Sequence, residues 1–215
     1  MERCRLCHSP IVNESCSAPK AVCPTCWQEI MSLCPSLELC PLSGGRSLFI
    51  ASGAGYHGMV KKLVLKLKYD GDCLLAEDLS LLLARAWTLI AAKDENGGPG
   101  LVPVPLHWSR LFRRGFNQSE LLSKALSRSQ GLACLPSALR RVKLTTAQLD
   151  LGRAERFANL SGAFQGNRKV AGGACLVLVD DIYTSGATLS AAGETLLAAG
   201  ARQVFALTVA RAHIS

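Results

Sequence analysis

No stretch of the 215 residues stays apolar long enough to cross a bilayer. The longest, residues 79–92, is interrupted by Arg85 and falls short of the ~20 residues a membrane helix needs, so it reads as a buried helix. The amino-terminal MERCRLCHSP has no apolar run behind its basic residues and lacks the form of a secretory signal. The expected location is therefore cytoplasmic, where thiols are kept reduced. Aromatic side chains make up only 6%, thin for a protein that grips nucleic acid mainly by stacking bases. Acidic side chains are also short, 16 Asp and Glu against 24 Lys and Arg, for a formal net charge of +8. No internal repeat is visible, which argues against a solenoid. What the chain does have is 49% hydrophobic residues, enough for one ordinary core plus a small appendage.

Cysteine is the residue in excess. Seven of the ten lie in the first 40 residues, and only Cys73, Cys134 and Cys175 lie beyond. Two C-x2-C pairs, Cys4/Cys7 and Cys23/Cys26, are separated by 15 residues. That is the spacing of a Cys4 zinc site, in which each pair forms a knuckle and the loop between them folds back to complete a tetrahedron. The first 45 residues are also rich in Pro and show no long periodicity, so they cannot hold a core unaided. A bound Zn2+ supplies what is missing, because its binding free energy becomes folding free energy. Cys16, Cys34, Cys40 and His8 remain without a role, and Cys40 with Ser43 reads as a third knuckle that has lost a thiol.

Two domains are expected: a zinc-finger module over 1–45 and an α/β domain over 46–215. In the second, HGMVKKLVLKLKY has helical spacing, with Met59, Val60, Leu63, Val64 and Leu67 on one face and the lysines mostly elsewhere. A second helix is predicted from Cys73 to about Lys93. LVPVP (101–105) reads as a short strand ended by proline. A helix follows, capped by Asn117 or Ser119 and stopped by Gly131. Residues 136–168 are basic and weakly periodic, as in a long loop. CLVLV (175–179) and QVFALTVA (203–210) are apolar runs typical of strands buried on both faces, with a helix over 187–199 between them. Alternating strands and helices indicate a mainly parallel sheet.

The charge excess is local. Residues 110–156 hold ten basic and three acidic side chains, while residues 1–45 hold three and four. Such a segment suits a polyanionic ligand. Trp108, Phe112 and Phe116 are interleaved with Arg110, Arg113 and Arg114, and their spacing of four favours packing of one helix face over base stacking.

The densest chemistry lies in Val177-Leu-Val-Asp-Asp-Ile-Tyr-Thr-Ser-Gly-Ala-Thr188. An apolar strand delivers Asp180 and Asp181 at its carboxyl end, where ligands bind in open α/β sheets. Thr184-Ser-Gly-Ala-Thr188 then turns into a helix, and its hydroxyls, glycine and first-turn N–H groups suit a phosphate. Acids beside a phosphate cradle make sense for a ligand that also carries hydroxyls, such as a ribose 5-phosphate.

LVLVDDIYTSGAT resembles the phosphoribosyl pyrophosphate (PRPP) loop of type I phosphoribosyltransferases. With Leu67-Lys-Tyr69, Gly71-Asp72, Val102-Pro-Val-Pro105-Leu-His, Arg114-Gly-Phe-Asn-Gln118, Gln148, Arg153-Ala-Glu-Arg156, Asn159 and the C-x2-C pairs, nearly the whole chain resembles the ComF family. These are phosphoribosyltransferase-like proteins with an N-terminal zinc finger, linked to competence for DNA uptake. Two departures stand out: only Cys40 survives of a further cysteine pair, and Tyr183 replaces a commonly smaller residue. The resemblance implies a type I phosphoribosyltransferase-like sheet with PRPP as ligand. It puts Asp180 and Asp181 on the ribose hydroxyls and Thr184, Ser185, Gly186, Ala187 and Thr188 on the 5′-phosphate. Arg110, Arg113 and Arg114 would meet the diphosphate, Arg114 with a catalytic role, and residues about 140–160 would form a closing hood. Mg2+ would arrive largely on the ligand. The alternative is a non-catalytic competence factor that keeps the fold and associates with single-stranded DNA or the competence machinery.

Overall fold

The computed structural model describes residues 2–11, 19–91, 98–143, 160 and 162–212. The elements run α1 (Pro24–Ser32), β1 (Ser36–Pro41), β2 (Ser47–Gly55) and α2 (Gly58–Leu65), which continues into a π-helical turn (Lys66–Asp70). Next come α3 (Leu75–Trp87), β3 (Gly100–Pro103), α4 (Trp108–Arg114), α5 (Gln118–Gln130), β4 (Leu139–Arg141) and β5 (Phe164–Gly166). The chain finishes with α6 (Arg168–Ala171), β6 (Cys175–Tyr183), α7 (Ala187–Ala198) and β7 (Gln203–Arg211). Cys16, Gln148, Arg153, Glu155, Arg156, Asn159 and most of the expected hood lie outside the described residues.

Five strands form one sheet in the order β1-β2-β7-β6-β3, parallel from β2 through β3, with β1 antiparallel at the edge. This is the mainly parallel α/β arrangement expected from the alternation of strands and helices. The apolar runs explain its centre. Val177, Val179, Phe205 and Leu207 point into one core, and Leu176, Leu178, Val204 and Ala206 into the other, as period-2 alternation requires of strands covered on both faces. Helices α2, α3 and α5 contribute to the first core and α7 to the second. β4 and β5 form a separate antiparallel ribbon. Among the described residues, no helix is long and apolar enough to cross a membrane.

Helix ends follow local chemistry. The Asn117 side chain accepts from Ser119 N–H at the start of α5, and Gly131 closes that helix in the left-handed conformation. The first 45 residues are more regular than their proline content suggests. Pro24 occupies the first turn of α1, where its missing N–H costs nothing, and Cys26 and Ile30 form that helix's buried stripe.

This segment borrows a core rather than building one. Cys4, Ala21, Val22, Cys23, Cys26 and Ile30 share a cluster with Leu79, Leu82 and Leu83 of α3. Two polar clamps from α3 fix the contact. Asp78, only 1% exposed, accepts the backbone N–H groups of Lys20 (2.6 Å) and Ala21 (2.9 Å). Arg85 donates to the carbonyls of Met31 (3.0 Å) and Leu33 (2.5 Å).

Candidate functional site

Asp180 and Asp181 end the buried part of β6, and the chain turns through Thr184–Gly186 into α7. The two acids differ in surroundings. Asp181 is buried, and its Oδ2 lies 2.6 Å from Lys68 Nζ, delivered by the π-helical turn. Asp180 Oδ1 accepts the Ser119 hydroxyl (2.9 Å) and the Asp181 N–H (2.9 Å). Burial pushes the Asp180 carboxyl up to about 7; the Asp181 charge adds to the rise, while Lys68 and the Ser119 hydroxyl oppose it. For Lys68, burial works against the charge, but the Asp181 carboxylate, helped by Asp180 and Tyr56, makes the net shift upward.

These groups line a cavity of about 360 Å3 together with Thr184, Thr188, Arg110, Arg113, Arg114 and Arg141. The lining thus sets two acids against a lysine and four arginines, with neutral side chains such as Val104, Leu106 and Ile182 between them. Arg114 donates to Gln118 Oε1 and stacks over the Tyr69 ring at 5.5 Å. Arg141 has its charge disfavoured by burial and by Arg110, with Asp180 pulling the other way. The Asn117 amide ties the segment after β3 in place through Val104 O (3.1 Å).

Ser185, Gly186 and Ala187 form the turn itself and are buried, with Ser185 at 4% and Ala187 at 1% exposure. Gly186 sits at φ +81°, and a Cβ there would lie 2.9 Å from Cys40 Sγ and 3.1 Å from the Tyr183 ring. Gly186→Ala is expected to lower stability by about 1–3 kcal/mol, from left-handed strain and overpacking together. A denaturant melt checks this, and an unchanged midpoint would show that the turn tolerates a side chain.

The structure thus brings Asp180, Asp181, Thr184, Thr188, Arg110, Arg113 and Arg114 to one cavity. The sequence offers no role for Lys68 or Arg141, and for Ser119 only a helix cap. Trp108 and Phe112 overturn the packing expectation: they are 72% and 90% exposed, and only Phe116 packs against the core. α4 spans seven residues, none of them buried.

At the other end of the chain, the Sγ atoms of Cys4, Cys7, Cys23 and Cys26 all lie within 4.8 Å of one another, and Cys7 and Cys23 are 3.6 Å apart. A tetrahedral zinc with bonds of about 2.3 Å sets its sulfurs ~3.8 Å apart, so the cluster fits such a metal. The first knuckle closes through His8 N–H to Cys4 O (3.0 Å), with His8 at φ +63°, and Leu6 N–H points at Cys4 Sγ (3.4 Å). It is the only such group of three or more among the described residues. Cys40 is no knuckle: it lies in β1 with Sγ 3.1 Å from Ser190 Oγ, behind the Gly186 turn.

No family model matches the chain. It is 33% identical over 218 residues to DNA utilization protein YhgH of Salmonella typhi, covering 94% of this chain and 93% of that one. It is 37% identical over 120 residues to Competence protein F of Haemophilus influenzae, covering 52% and 50%. The chain belongs to the ComF family. A further ComF relative, Competence protein ComFC of Bacillus subtilis, is 29% identical over 197 residues, covering 88% and 78%. Among solved structures, an adenine phosphoribosyltransferase aligns at a TM-score of 0.38 and 18% identity, covering 85% of this ComF chain and 88% of that one.

Proposed function

We propose that this ComF-family protein binds PRPP or a related phosphorylated ribose and transfers the phosphoribosyl group with release of pyrophosphate. The observation that carries the reading is one cavity in which an acidic pair at a strand end faces four arginines, beside a hydroxyl-rich turn into a helix. Asp180 and Asp181 hold the ribose hydroxyls. Thr184 to Thr188 hold the 5′-phosphate, with helix α7 adding the pull of its first-turn N–H groups. Arg110, Arg113, Arg114 and Arg141 surround the diphosphate, their guanidinium forks matched to its oxygens.

The chemistry follows from that placement. As the bond from ribose C1 to the diphosphate breaks, negative charge grows on the leaving group and is met by the arginines, Arg114 foremost. Positive character at the sugar is met by the nearby carboxylates. The protein's work is positioning and charge neutralisation. The acidic pair is not a cage for a resident divalent ion, because Asp181 is held by Lys68 and Asp180 Oδ1 accepts two hydrogen bonds. Mg2+ would belong with the diphosphate and supply part of its neutralisation. The four cysteines would hold a structural zinc. Thermal melts test the reading: PRPP at about 100 times its Kd stabilises by ~2.7 kcal/mol, with smaller shifts for ribose 5-phosphate and inorganic pyrophosphate. No shift with any of the three would overturn it.

A second reading, a single-stranded-DNA-associated competence factor, is favoured by a different observation. Trp108 and Phe112 stand in solvent beside Arg110, Arg113 and Arg114, which is an arrangement for stacking bases over a basic path. The names of the relatives fit it. Under this reading Trp108→Ala with Phe112→Ala weakens binding of a thymidine oligonucleotide by about tenfold or more, given ~1–3 kcal/mol per stacked base. Unchanged affinity, or binding that does not weaken with added salt, contradicts it.

A further inference from the structure

The ion pair between Lys68 and Asp181 does more than line the cavity. Both side chains are largely withdrawn from solvent, at 17% and 6% exposure. Lysine reaches this position through a change of helical winding. α2 keeps its apolar stripe, with Val60, Leu63 and Val64 buried, then widens into the π-helical turn that Gly71 closes at φ +69°. Within that turn Lys66 stays outside and pairs with Asp70 at 3.4 Å, while Lys68 turns inward. Single π-helical turns are frequent at functional sites. On the opposite side, two carboxylates adjacent in sequence repel each other, and one of them is buried.

We propose that Lys68 is a positioning residue for the acidic pair: its ammonium fixes one oxygen of Asp181 at the strand end and carries the counter-charge that lets both carboxylates face the ligand. The ligand part of this rests on the PRPP reading above. The other charged and titratable groups around Asp181 are Tyr56 beyond β2, Tyr69 on the same turn, the neighbouring Asp180 on β6, and Arg110, Arg113, Arg114 and Arg141 lining the cavity. Lys68 is the cation seen at ion-pair distance from Asp181 among the described residues.

The test has two arms on the full chain. In the ligand-free protein, the Asp180 carboxyl is titrated by carbon NMR. Lys68→Met is expected to raise its midpoint by about one unit, because a nearby opposite charge is removed, and Lys68→Arg to bring it back. An Asp180 midpoint that does not move in Lys68→Met overturns the proposal. In the second arm, PRPP binding is measured by calorimetry, with about a tenfold loss or more expected for Lys68→Met and partial rescue by Lys68→Arg. Equal affinity of Lys68→Met and the native protein also overturns it. If the native protein binds no PRPP, the ligand reading falls, and the titration arm still decides the role of Lys68. Should Lys68→Met fail to fold, Lys68→Gln, which keeps a donor but loses the charge, carries the same titration.

Discussion

Asp180→Asn combined with Asp181→Asn lowers the affinity for Mg2+-bound PRPP by about 100-fold or more. Each carboxylate is read as accepting a ribose hydroxyl, and a hydrogen bond to a charged group contributes ~1.5–3 kcal/mol, so losing two costs at least ~3 kcal/mol. The double variant also leaves Lys68 without its partner in a largely buried place. Circular dichroism and a melt must therefore accompany the binding curve, since breaking a buried pair costs ~3–5 kcal/mol. Retained affinity in a folded variant would sink the ribose assignment. Oligonucleotide binding that survives the change is what the DNA-associated reading expects. Asp180 also sets a pH window. Its carboxyl is raised to about 7 in the folded chain. The neutral form therefore stabilises the fold at low pH, and that contribution is lost as pH climbs through about 7. The ionised form is the stronger acceptor for a hydroxyl, so ligand affinity should increase over the same interval.

Removing metal from the cysteine cluster, or replacing Cys23 with Ser, unfolds the amino-terminal segment. Structural zinc in isolated fingers is associated with apparent binding free energies of ~10–16 kcal/mol. Here the loss is larger than the knuckles alone, because Cys23 and Cys26 frame the start of α1, and α1 packs with Ala21 and Val22 onto α3. Detachment would open the core that this segment shares with α3 and strand the Asp78 carboxyl and the Arg85 guanidinium. Elemental analysis should find about one zinc per chain. Chelation should cut ellipticity and expose apolar surface to a reporter dye. A chain that stays folded and fully helical after chelation would refute the structural role of the metal.

Much of the fold was legible because its signals were local. Asn117 and Gly131 bracket α5 as capping chemistry requires, and the two apolar runs became the central strands β6 and β7. β2 was harder to see. Ser47-Leu-Phe-Ile-Ala-Ser-Gly-Ala-Gly55 is rich in small residues, and the need for them is tertiary: a Cβ at Gly53 would lie 2.3 Å from Leu82 O. The acidic pair and the hydroxyl turn could be read from sequence because chemistry and spacing coincide there. Lys68 could not. Ordinary helical periodicity sets it off the apolar face, and only the widened turn brings it to Asp181. Ser119 was legible as a cap position but not as a donor to Asp180, a contact across 61 residues. Trp108 and Phe112 mislead in the opposite sense, since their spacing suits packing while both side chains stand exposed and no residue of α4 is buried.

Under the proposed function, the cavity between the acidic pair and the four arginines takes a phosphorylated ribose carrying a diphosphate. Calorimetric titration of the zinc-loaded full chain with PRPP in the presence of Mg2+ tests it most directly. One site per chain, displaced by inorganic pyrophosphate, is the result predicted. The absence of any binding heat at millimolar PRPP, with the protein folded and its metal in place, would contradict it.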